Sequence, residues 1–161
     1  MEHRTIGRGP ARPFRKVRSL GSRLETGVAL LLAQGLVTFV PTRHWRSLLR
    51  RKPGYDAAFP AGARERARGL GKQVERIGDA FPWQVKCLPR ALAASAMLSR
   101  RGIGSHIVIG ARRSGETPSM DLHAWLMVGE SCVVGRKERE TYRAFVPARG
   151  APNGAMDEAG R

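Results

Sequence analysis

The run Cys87-Leu88-Pro89-Arg90 constrains the fold more than any other stretch of the chain. A proline fits a helix only in its first turn and discourages helical angles in the residue before it. A helix containing Pro89 therefore starts close to it, with Cys87 at its N-terminus or one step outside. From that start, residues 87–101 (CLPRALAASAMLSRR) put Leu88, Ala91, Leu92, Ser95 and Leu98 on one helical face, and Gly102 supplies the stop. The period then changes. SHIVIGARR alternates Ile107 and Ile109 with His106, Val108 and Gly110, a strand with apolar residues on both faces. After the loop SGETPS, MDLHAWLMV reads as a second strand, and the turn Gly129-Glu130-Ser131 leads into CVVG, a third strand closing a hairpin. A last strand is expected within Tyr142–Val146. A helix followed by antiparallel strands, with further helices upstream, is an α+β arrangement.

The upstream half is helical by pattern. Val28 to Val40 (VALLLAQGLVTFV) is an apolar helix, and Gly35 and Thr38 give it a small-residue face. Thirteen residues rise about 20 Å as a helix, short of the roughly 30 Å hydrocarbon core, so burial in the protein is the better reading and membrane contact is not expected. Thr42 is placed to cap RHWRSLLRR, in which Trp45, Leu48 and Leu49 share a face. Residues 53–63 form a Pro- and Gly-containing loop. A charged helix is expected over Arg64–Asp79, with Leu70, Val74 and Ile77 inward, ended by Ala80-Phe81-Pro82-Trp83. These boundaries divide the chain into a basic flexible arm (1–23), one domain (24–146) with a helical front (24–79) and a core (80–146), and a flexible tail (147–161).

The 161 residues carry 29 Lys and Arg against 13 Asp and Glu, a formal charge of +16, which first suggests nucleic acid or an anionic surface. Twenty-four of those cations are Arg, a bias that a genome's coding habits can produce, and residues 1–52 alone hold +10 (ten Arg and two Lys against Glu2 and Glu25). With 6% aromatic residues for stacking and no recognised nucleic-acid motif, a nucleic-acid partner is not expected. Two cysteines cannot build a disulfide scaffold and fit a cytoplasmic protein whose thiols are core or reactive groups.

Chemistry concentrates on one cysteine at a helix start and one histidine 36 residues later in a strand. The backbone N–H groups and dipole of a helix N-terminus favour negative charge, so Cys87 stands where a nucleophile would be activated, between Lys86 and Arg90. His123, on a strand that can pack against this helix, can take the thiol proton and return it to a leaving amine. The Cys87 backbone N–H is an oxyanion donor by position, and Gln84 or the Trp83 indole can supply another. Cys132 beside Val133 and Val134 reads as a core thiol, and a Cys87–Cys132 disulfide is not expected. His106 belongs to the preceding strand. Cys87, His106, His123 and Cys132 contain no closely spaced ligand pair, so no metal is expected.

Cys87-Leu88-Pro89-Arg90, Leu98-Ser99-Arg100-Arg101-Gly102-Ile103, Ile107-Val108-Ile109-Gly110 and His123-Ala124-Trp125 occur in this order over residues 83–135. In order and spacing they resemble the transglutaminase-like, papain-like cysteine peptidase domain of lasso-peptide biosynthesis B proteins. The resemblance implies a Cys-bearing helix packed on an antiparallel sheet that carries the His. It implies a cysteine protease that removes the leader of a ribosomally made precursor peptide before a partner cyclase closes the ring. Cys87 carries over as nucleophile and His123 as general base and acid. The family's third residue is an Asp about twelve positions beyond the His, where this chain has Gly135. Glu138, Glu140 and Asp121 are the nearest carboxylates; Asp121, two residues before His123, projects from the same strand face. A backbone carbonyl or an Asn-like substitute is a further possible orienter, because the third residue serves tautomer and orientation and its absence lowers the rate without removing the reaction.

No cofactor is expected in this chain. A leader-recognition protein and a lasso cyclase are the partners the resemblance implies, since residues 24–79 do not read as a leader-binding domain. Competing readings are a transglutaminase-like acyltransferase or amidase on another substrate, and a small basic nucleic-acid-binding protein.

Overall fold

The computed structural model describes residues 14–45, 49, 61–113, 120–137 and 139–144. The expected tail over 147–161, the segment 53–60, most of the basic Trp45–Arg51 stretch, Phe145–Val146 and Glu138 lie outside the described residues, as do residues 1–13 of the expected arm.

Among the described residues four helices, α1 (Phe14–Phe39), α2 (Thr42–Trp45), α3 (Ala63–Asp79) and α4 (Cys87–Ser99), precede four strands, β1 (His106–Arg113), β2 (Met120–Val128), β3 (Ser131–Val134) and β4 (Arg143–Ala144). The strands form one antiparallel sheet in the order β3-β2-β1-β4. The α+β architecture is as the periodicities indicate. One boundary differs: α1 begins at Phe14, so residues 14–23 are helix and not flexible arm. Arg and Lys are good helix formers, and the apolar helix downstream supplies the nucleus from which those turns propagate.

Helix α4 is the hub, in contact with α1 and α3 and with strands β2, β1 and β3. Its sequence permits this because Ala91, Ala93 and Ala94 are small enough to be buried on several faces, together with Pro89, Leu92, Met97 and Leu98. A single apolar face therefore understates its burial. The helix ends in a Schellman arrangement: Gly102 adopts φ 68°, its N–H donates to Ser99 O at 3.0 Å, and the Ile103 N–H donates to Leu98 O at 3.0 Å.

Polar clamps fix α1. Buried Thr26 donates to Ser22 O (2.8 Å) and accepts from Gln73 Nε2 of α3 (2.7 Å), while Glu25 takes Arg101 (2.6 Å) and Arg100 (3.0 Å) beyond the end of α4. The outer side of α1 leaves Leu20, Leu24, Val28, Leu32 and Phe39 exposed. No helix among the described residues is long and apolar enough to cross a membrane.

The sheet has two unlike faces. Ala124, Leu126 and Val128 of β2, with Ile107 and Ile109 of β1, join the core under the helices. Strand alternation sends Asp121, His123 and Trp125 to the other side. At the β3 edge, α3 approaches so closely that a Cβ on Gly71 would lie 2.0 Å from Val133 O.

Candidate active site

Cys87 is the first residue of α4, and Lys86 is its N-cap, with extended backbone (φ −71°, ψ 169°) and no side-chain capping bond. Pro89 thus falls in the first turn, as its missing N–H requires. The Cys87 side chain is half-buried and packs at the margin of the core. Both cysteines are free thiols. Cys132 is half-buried on β3, where its thiol donates to Val134 O at 3.3 Å. Burial pushes that thiol's pKa up, against the opposing pull of Arg139 and Arg136.

His123 is roughly stacked with two rings, Trp125 at 6.0 Å and Tyr142 at 5.0 Å between centroids. Its Nε2 is 3.1 Å from Gly135 O. A carbonyl only accepts, so Nε2 carries the hydrogen and the neutral ring keeps its lone pair on Nδ1. Gly135 is therefore the residue that orients the histidine, through its backbone. Its φ is 78°, and an added Cβ would sit 2.9 Å from Ala124 O and 3.0 Å from Trp125 Cβ. A side chain, an aspartate included, does not fit here without displacing the strand.

The carboxylates named from sequence have other engagements or positions. Asp121 shares the His123 face but pairs with Arg112, its partner in the β1–β2 register, at 3.2 Å. Arg112 also covers the Tyr142 ring at 4.7 Å and donates to Thr141 Oγ1 at 3.4 Å. Glu140 is exposed on the 3₁₀ turn Arg139–Thr141, and Glu138 lies outside the described residues. Gln84 and Trp83 are both exposed on the segment leading into α4; Trp83 meets Phe81 edge-on at 5.0 Å.

The structure packs the helix that begins with Cys87 against the strand that carries His123. Among the described residues no hydrogen bond joins the two side chains directly. A chain of bonds around the end of β3 (Ser131–Val134) links His123 to Arg90, in the first turn of the helix that Cys87 begins. His123 Nε2 donates to Gly135 O, the Gly135 N–H donates to Glu75 Oε1 at 2.8 Å, and Glu75 Oε2 accepts from Arg90 Nη1 at 2.9 Å, one turn after Cys87. Arg90 also donates to Asp79 (2.7 Å) and, through Nε, to Val85 O (2.9 Å). Burial opposes the Arg90 charge, but the bonds to Asp79 and Glu75 outweigh it and move its pKa up. Gly78 leaves the room this guanidinium occupies, since a Cβ there would lie 3.0 Å from it.

Glu75 and Tyr142 carry no sequence signal for these roles. Glu75 is 60 residues from Gly135, and on its own helix it is one charge among many. Arg90 reads as a cation beside Cys87 and as the last residue of Cys-Leu-Pro-Arg, and neither reading points to its bonds with Glu75 and Asp79. Among the described residues no group of three or more His, Cys, Asp or Glu is arranged to hold a metal ion.

No curated protein and no solved structure matches the chain. The model of the Transglutaminase-like superfamily matches residues 29–147, from within α1 past β4. That span takes in the Cys-bearing helix, the His-bearing strand and the glycine that orients it, and the chain belongs to the transglutaminase-like superfamily.

Proposed function

We propose that the protein is a cysteine peptidase that removes the leader from a lasso-type precursor peptide, with Cys87 as nucleophile and His123 as general base and acid. Superfamily membership supports cysteine-based peptidase or acyl-transfer chemistry. The finer assignment is supported by the ordered motifs that resemble the lasso B proteins. The single observation that carries the mechanism is the bond between His123 Nε2 and Gly135 O, because it fixes Nδ1 as the ring's proton acceptor.

The mechanism requires Cys87 Sγ and His123 Nδ1, which share no hydrogen bond among the described residues, to come within hydrogen-bond distance when substrate binds. Sγ gives its proton to Nδ1 and attacks the carbonyl carbon of the last leader residue. The Cys87 backbone N–H, in a first turn whose cap residue offers no side-chain bond, receives the developing oxyanion. The imidazolium donates its proton to the nitrogen of the first core residue. The peptide bond breaks, and the leader remains as a thioester on Cys87. Water, deprotonated by Nδ1, hydrolyses that thioester and restores the thiol. The freed core amine is the group a partner cyclase needs for ring closure, and a recognition protein delivers the leader.

The test is incubation with a lasso precursor peptide, with and without its leader-recognition partner, followed by mass spectrometry of the fragments. Wild type is expected to yield separate leader and core, and Cys87→Ala and His123→Ala to leave the precursor intact. Transfer of the acyl group to an added amine, without hydrolysis, would instead make the protein an acyltransferase.

A further inference from the structure

We infer that Glu75 is the positioning residue for His123: the acidic member missing at Gly135 is supplied from α3 and acts through the Gly135 backbone. This rests on the Cys87–His123 reading above.

Gly135 has to hold its carbonyl toward Nε2 from a left-handed backbone (φ 78°), in the turn after a four-residue strand. Such a residue moves easily unless something ties it. Glu75 ties it, with one carboxylate oxygen on the Gly135 N–H (2.8 Å) and the other on Arg90 (2.9 Å), so a single side chain spans α3, the end of β3 and the first turn of α4. A carboxylate accepting a backbone N–H makes a charge-assisted bond, stronger than a neutral one. Arg90 fixes the second oxygen and with it the rotamer, and its own guanidinium is held by Asp79 and Val85 O. Val74 beside it is fully buried and Gly71 is in backbone contact with β3, so this part of α3 cannot slide. A carboxylate thus governs the imidazole's orientation without touching it, where a side chain at 135 has no room.

The experiment compares full-length wild type, Glu75→Asp, Glu75→Gln, Glu65→Gln and His123→Ala; Glu65 is an exposed carboxylate on the same helix. The shorter carboxylate keeps the charge and loses the reach to Gly135; the amide keeps the reach and an acceptor oxygen. The first readout is the rate of alkylation by iodoacetamide at neutral pH, with the adduct located at Cys87 by peptide mass spectrometry. The second is the His123 ring tautomer, read from ¹⁵N chemical shifts. Wild type is expected to alkylate at Cys87 faster than His123→Ala and to show an Nε2–H tautomer. Glu75→Asp should lower that rate about tenfold, a fraction of what loss of the general base itself costs, and mix the tautomers. Glu75→Gln should restore most of both, and Glu65→Gln should match wild type. Wild-type rate and tautomer in Glu75→Asp would overturn the inference, as would an equal loss in Glu65→Gln. If wild type alkylates no faster than His123→Ala, the Cys87–His123 pairing fails, and the tautomer in Glu75→Asp alone then decides whether Glu75 positions His123.

Discussion

His123 and Ala124 are consecutive in β2 (Met120–Val128) and belong to opposite faces of the sheet. Ala124 joins Leu126 and Val128 beneath α3 (Ala63–Asp79) and α4 (Cys87–Ser99), in a core made of interchangeable aliphatic contacts. His123 joins Asp121 and Trp125 on a face covered by Gly135, Tyr142 and the Arg112 guanidinium. The helix face is held by area, which is tolerant of which residue supplies it. The other face is held by single directed contacts, a hydrogen bond, an ion pair and stacked rings, each between two particular groups. Substitutions on the first should change stability and leave the imidazole's geometry alone; those on the second should do the reverse.

The largest stability effect is expected on the helix face. Leu126 is fully buried, and Leu126→Ala should destabilise the protein by about 3 kcal/mol in urea unfolding, the usual cost of removing a buried leucine. Its folded fraction should keep the wild-type His123 tautomer. On the other face, Gly135→Ala should cost about 1–2 kcal/mol for the left-handed backbone. Because its Cβ crowds Ala124 O and Trp125, it should also move the carbonyl off Nε2, so that precursor cleavage falls much further than stability. Tyr142→Leu, which removes the ring stacked on His123, should cost about 1 kcal/mol or less in unfolding. It should also broaden the His123 ring signals.

The smallest effect lies away from both faces, between α1 (Phe14–Phe39) and the end of α4. The hydrogen bond from Arg101 holds the Glu25 carboxyl below the usual carboxylate range, against the opposing effect of burial. A carboxyl with a lowered folded pKa adds stability above its unfolded pKa and loses it as pH falls through the folded value. Thermal unfolding of wild type should therefore lose this increment below about pH 4, while Glu25→Gln, lower by under about 1 kcal/mol at pH 7, should lack that component of the acid slope.

The same contrast explains what could be read from the chain before its structure. The helix from Cys87, the strand alternation of Ile107 and Ile109, and the hairpin through Gly129 are local patterns, and each stands where its period places it. The start of α1 was hidden because Arg, Gly and Pro dominate residues 1–20, a composition that reads as an arm until packing downstream carries the helix back to Phe14. At the candidate site, Cys87 and His123 announce themselves by residue type and order. Gly135 could be seen only as a missing aspartate; its left-handed φ and the crowding by Trp125 turn that gap into a carbonyl acceptor. Asp121 was correctly placed on the His123 face, yet Arg112 opposite it in the register takes its charge. Glu75 had no signal, since a contact across 60 residues leaves no periodicity to find.

If Cys87 carries the leader as an acyl group with His123 as its proton partner, acid quenching of wild type mixed with a lasso precursor and its leader-recognition partner, followed by intact-protein mass spectrometry and peptide mapping, traps that species. A transient thioester of the leader on Cys87 is expected to precede release of the free core, and neither species to form with Cys87→Ala. Release of the core by Cys87→Ala at the wild-type rate would overturn the proposed role of Cys87.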